Sequence, residues 1–75
     1  MNVWVDADAC PGAIRDLILR ATAKRQLAVV FVANKPIGVQ ATERVAIVLV
    51  PQGPDVADAH IVEQAQAGDL VVTQD

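Results

Sequence analysis

The chain has 75 residues, 53% of them hydrophobic, with one Phe, one Trp, no Tyr and a net charge of -3 at pH 7. A chain this short forms one domain at most, 1–75, that buries only ~60% of its unfolded surface, and its composition excludes disorder and demands an aliphatic core. A single Cys excludes an internal disulfide and paired-cysteine zinc sites, and no apolar run is long enough to span a bilayer, so the chain reads as cytoplasmic with no membrane partner.

In chain order, Asn2 to Val5 reads as a short buried strand that runs into Val5-Asp6-Ala7-Asp8-Ala9-Cys10-Pro11. Pro11 suits the first position of a helix, with Asp8 or Cys10 as its cap. From Pro11 to about Arg25 the residues Ile14, Leu17, Ile18 and Ala21 recur at helical spacing, which predicts an amphipathic helix with its basic residues in the last turns. Leu27 to Ala33 and Val45 to Val50 are continuous β-branched runs, the pattern of parallel strands covered on both faces. A loop opening Asn34-Lys35-Pro36-Ile37-Gly38 separates them. Asp55 to about Ala67 predicts a second helix on an apolar stripe of Ala57, Ile61, Val62 and Ala65, with Gly68 as its left-handed terminator. Leu70 to Thr73 reads as a further buried strand. The order β-α-β-β-α-β with helical crossovers predicts an α/β fold with helices on the faces of the sheet.

Charge is segregated along this order. All six basic residues lie between positions 15 and 44, opposed only by Asp16 and Glu43, so that stretch carries +4 while the flanks are acidic. A chain-wide basic bias is absent, yet a local basic face for nucleic acid remains available.

The flanking acids matter more. In open parallel sheets ligands bind beyond the carboxyl ends of the strands, where Asp6, Asp8 and Asp75 fall. Asp55 has an ordinary role as a cap on the second helix. Asp58 differs, because it lies three and four residues before Ile61 and Val62, a spacing that turns its carboxylate toward the sheet, where it needs a partner, a proton or a cation. Carboxylates gathered without a His or Cys array suit a hard divalent cation, Mg2+ or Mn2+, able to clamp a phosphoryl group and activate a water. Cys10 reads as a small packed thiol: Arg15 gives Cys-x4-Arg, one residue short of a phosphatase loop. His60 has no second ligand at metal spacing, and Thr73 serves either the site or a strand end.

The segments Val5 to Pro11, Val32-Ala33-Asn34, Asp55-Val56-Ala57-Asp58 and Gly68 to Asp75, in that order, resemble the YaiI/YqxD family of uncharacterised bacterial proteins. That resemblance implies a PIN-like (Rossmann-like) three-layer α/β/α fold around a mostly parallel sheet. Enzymes of the PIN superfamily use carboxylates with Mg2+ or Mn2+ to hydrolyse phosphodiesters, usually in RNA. Carried over, Asp6, Asp58 and Asp75 match acids of that superfamily and Asp8 belongs to the family's own signature. Family members are roughly twice as long by usual domain sizes, so the chain reads as an N-terminal half cut after its fourth strand, whose exposed sheet edge predicts self-association.

Three functions compete. The first is a Mg2+- or Mn2+-dependent ribonuclease with Asp6, Asp8, Asp58 and Asp75 as ligands, phosphates being held by Arg15, Arg20 or Lys35. The second is a haloacid-dehalogenase-type phosphatase with Asp6 as nucleophile and Asp8 as acid/base, although Ala9 stands where Thr or Val is usual and its lysine would have to be Lys35. The third is a non-catalytic module that binds nucleic acid or protein around an acidic pocket.

Overall fold

The computed structural model describes residues 1–73. Strands β1 (Asn2–Asp6), β2 (Ala28–Ala33), β3 (Val45–Leu49) and β4 (Leu70–Val72) form one sheet in the order β3-β2-β1-β4, every pairing parallel. Helix α1 (Gly12–Lys24) leads from β1 to β2, and α2 (Val56–Gln64) returns the chain from β3 to β4 on the far side of β1. Right-handed crossovers that travel in opposite directions place their helices on opposite faces, so the arrangement is α/β/α.

Burial follows these faces. Val3, Val29 and Val45 lie in register across the sheet, as do Val5, Phe31 and Ile47, and this row packs with Ile18 and Leu19 of α1. On the opposite face Val32 and Ile61 of α2 are fully enclosed. The β2 run thus became a strand covered on both sides, as its composition requires, whereas the edge strands expected to be buried are not: β3 leaves Ala46 and Leu49 exposed and β4 leaves Leu70 and Val71 exposed.

The connection between β2 and β3 is a loop, as its sequence predicts, and from it Ile37 and Val39 tuck against the core. Two expectations about the helices need correction. Along α1 the buried side centres on Ile18, Leu19 and Thr22, whereas Ile14, Leu17 and Ala21 are exposed. Thr22 can be buried because its hydroxyl donates to the Ile18 and Leu19 carbonyls at 2.8 and 3.2 Å. Helix α2 ends at Gln64, so Gly68, although left-handed at φ 92°, shapes the turn into β4 and is not a helix cap; Val62 faces solvent. Helix α1 closes instead on Gln26 at φ 57°, where Leu27 N–H bonds the Thr22 carbonyl and Gln26 N–H that of Ala23.

The turn at Gly68 positions Asp69, whose carboxylate accepts from the backbone N–H groups of Asn2 and Gln66 and from the Trp4 indole N–H, each at 3.0 Å. It therefore ties the start of β4 to the start of β1. Those donors, the Asn2 amide first, hold its pKa down to about 2. A depressed carboxylate stabilises the fold fully above its unfolded value of ~3.9 and loses that contribution as pH falls toward the folded value. Urea midpoints measured between pH 5 and pH 2 should therefore show a wild-type advantage over Asp69→Asn that shrinks across this window; an advantage independent of pH would contradict the clamp.

Both sheet edges, β3 and β4, are open among the described residues. No helix among them is long and apolar enough to cross a membrane.

Candidate functional site

Strand β1 ends on Asp6, and a 3-10 turn over Ala7–Ala9 immediately follows. Ala7 is buried while Asp8 projects outward, and its Oδ2 accepts the Asn34 backbone N–H at 2.7 Å. Asp8 thus fixes the exit of β2 beside the exit of β1. From the other side, the first turn of α2 brings half-buried Asp58 toward the same place, because Ala57, Asp58, Ile61 and Ala65 share the packed side of that helix.

The result is a hollow of about 240 Å³ beyond the carboxyl ends of β1, β2 and β3, lined by Asp6, Asp8, Asp55, Asp58, Asn34 and the segment after β3. Three of the four acids expected at the site are brought together; Asp75 lies outside the described residues. No Lys, Arg or His is among the residues lining the hollow. Arg15 instead sits near Cys10, whose thiol is pushed up by burial, with Arg15 opposing and Asp6 adding. Cys10 packs against the core, which suits a structural thiol better than a nucleophile. Thr73 lines a different hollow with Cys10 and Ile14, away from the acids.

Asp6 carries the electrostatic cost of this arrangement. Burial is the main influence raising its pKa, and the charges of Asp8 and Asp58 push the same way. The backbone N–H groups of Ala9 and Asp8 pull it partly back without the side chain capping the turn by a hydrogen bond.

Asp55 was expected to cap α2, and it does not. It occupies the N-cap position with a left-handed backbone, φ 60° and ψ 12°, and its side chain makes no capping hydrogen bond. At Gln26 the same conformation closes a helix, whereas at Asp55 no capping bond accompanies it. A left-handed non-glycine residue costs of order 1 kcal/mol, and such conformations gather at functional sites. Asp55→Gly is expected to stabilise the metal-free chain by a few tenths to about 1 kcal/mol in urea denaturation while weakening Mn2+ binding. A less stable variant would show that the backbone is not strained there. Asn34 and Asp55 fall within the segments that carry the family resemblance, yet neither is assigned to the site from sequence; long-range packing brings both to the hollow.

Four carboxylates without a cation repel any anionic ligand unless a cation joins them. Their donors are all oxygens, the chemistry that Mg2+ and Mn2+ prefer. Among the described residues no three His, Cys, Asp or Glu side chains converge into a set that could hold a metal ion. Magnesium, however, is commonly held through one or two carboxylates with its remaining positions filled by water and phosphate, so the donor set fits a hydrated ion.

A family profile described as "Uncharacterized BCR, YaiI/YqxD family" matches residues 4–75. The chain is 55% identical to a UPF0178 protein of Myxococcus xanthus and 51% identical to one of Dechloromonas aromatica, each over 75 residues. A UPF0178 protein of Bordetella parapertussis is 52% identical over the same length. The match takes in all of this chain but 49%, 50% and 47% of the respective relatives, so the chain spans about half the length of the curated relatives it matches. No solved structure matches it significantly.

Proposed function

Because the chain belongs to the YaiI/YqxD family, described as uncharacterised, its function must be read from its own residues, and we propose that it carries the cation site of a Mg2+- or Mn2+-dependent phosphodiesterase acting on RNA. The observation that supports this reading is the meeting of Asp6, Asp8, Asp55 and Asp58 in one polar hollow at the carboxyl edge of a parallel sheet. The resemblance to PIN-like enzymes supplies RNA as the substrate.

Asp6 and Asp58 would hold the ion, with Asp55 beside them, and a bound ion would supply charge neutralisation for a phosphoryl group and a more acidic water. Asp8 is a positioning residue, since its Oδ2 accepts the Asn34 backbone N–H and so fixes the exit of β2. The burial and the neighbouring carboxylates that raise the pKa of Asp6 are the cost that a cation there would offset. The half-buried first turn of α2 limits solvent on one side.

The phosphatase alternative is less well supported. Lys35 is not among the residues lining the hollow, leaving a phosphate without its usual lysine, and Asp8 is engaged with backbone where an acid/base should be free. The decisive experiment incubates the chain, and separately the longer Myxococcus xanthus relative, with labelled single-stranded and hairpin RNAs and Mn2+. Cleavage that needs Mn2+ and falls ~10²-fold or more in Asp58→Asn of this chain supports the proposal. Cleavage by neither protein, or cleavage indifferent to chelator and to Asp58→Asn, overturns it. A beryllofluoride adduct on Asp6 would favour the phosphatase instead.

A further inference from the structure

The face of the sheet that carries α1 is unevenly covered. Over β2 and β3 it is closed by α1 and by Ile37 and Val39 of the long connection. Over β4 it is open: Leu70 and Val72 stand in register with Val3 and Val5 on this face, and Leu70 is 50% exposed. The flank of α1 beside them exposes Ala21 and Ile14, the latter at 42%. Two hollows of about 320 and 300 Å³ run along this seam and share Val72. All-parallel sheets keep both faces covered by helices, and a continuous apolar seam of this kind marks an interaction surface.

We propose that the seam between α1 and β4 seats an amphipathic helix from the half of the family's chain that this chain does not match. The relatives are about twice as long as the matched region, so each supplies as many residues again from which that helix can come. A 75-residue unit with an aliphatic core buries too little surface to be comfortably stable, and the seam is where further apolar burial is available without moving an existing element. The helix would present aliphatic residues at i, i+3, i+4 and i+7 to Ile14, Ala21, Leu70 and Val72. The occupant is thus a specific polypeptide, and this half of the fold is completed by docking whether the two halves are covalently joined or supplied separately.

The test co-produces this chain with the unmatched half of the Myxococcus xanthus relative and measures the product by size exclusion with light scattering. A 1:1 complex is expected, weakened ~10-fold or more by Ile14→Glu and unaffected by Leu49→Glu on the opposite sheet edge. Far-UV circular dichroism checks each variant, and Ala21→Glu replaces Ile14→Glu should the latter fail to fold. Absence of a complex, or a complex indifferent to both seam substitutions, overturns the proposal. A homodimer of this chain disrupted by the same substitutions also overturns it and gives the seam to a second copy.

Discussion

Asp6→Asn is expected to be more stable than the wild-type chain when divalent metal is absent, and to gain nothing when Mn2+ is added. The sign follows from the raised pKa of Asp6 in the folded chain. Because the folded state holds this proton more tightly than the unfolded state, stability contributed by the protonated form is present below the unfolded value and declines as pH rises through the folded one. At neutral pH the ionised carboxylate, desolvated and repelled by Asp8 and Asp58, therefore opposes folding. An uncharged amide of nearly the same shape removes that opposition. In the wild-type chain a bound cation removes it differently: a ligand that binds only the folded state at 100 times its Kd adds about 2.7 kcal/mol. For a domain of this size that raises Tm by on the order of 10 °C. Thermal melts with chelator and with Mn2+ compare the two proteins directly. A variant less stable than wild type in chelator, or one that retains the Mn2+ shift, would mean that Asp6 holds its place for structural reasons. The pH dependence of Asp6 is opposite to that of Asp69, whose depressed pKa supports the fold at neutral pH. One acid is thus stored against the fold and the other works for it.

Phe31→Ala is expected to leave the chain largely unfolded at 37 °C. Phe31 is fully enclosed between Val5 and Ile47 in the middle of the sheet and is the only Phe in the chain. Truncating a buried Phe to Ala costs ~3–5 kcal/mol, because the remaining void closes only in part. Total stability scales at ~0.05–0.15 kcal/mol per residue and is lowest for short domains, so this one substitution removes much of what is available. Phe31→Leu, which refills most of the void, should cost about 1–2 kcal/mol and keep the chain folded. Urea titration followed through the single Trp, Trp4, which is bonded to Asp69 in the folded state, reads both. A Phe31→Ala midpoint within error of wild type would place the core elsewhere.

The parts of the fold that local chemistry dictates were legible beforehand. Val45 to Leu49 and Ala28 to Ala33 could hardly be other than strands, although only the second is enclosed, and Asp6 and Asp8 stand at a strand end whichever topology follows. What escaped was set by contacts far apart in sequence or by backbone angles. Asp69 reads as an ordinary turn residue until Asn2 and Trp4 are found against it. Asp55 has the composition of a cap and the conformation of something else. Along α1 the apolar residues at helical spacing outnumber those its own sheet covers, so periodicity identified the helix but not which of its residues are buried. The connection of residues 34–44 reads as a loop and is one, but that Ile37 and Val39 turn back onto the core is visible only in three dimensions.

The central position of β1 bears on how the chain is made. It leaves the ribosome before the other three described strands, yet its two neighbours emerge at very different times: β2 begins at Ala28, whereas β4 begins only at Leu70. At ~5–20 residues per second, the backbone of Val3 to Val5 on the β4 side waits roughly several seconds longer for its partner. During that interval the nascent chain presents an unpaired, apolar strand edge in the middle of its future sheet, the segment on which a holdase chaperone or a neighbouring nascent copy would act.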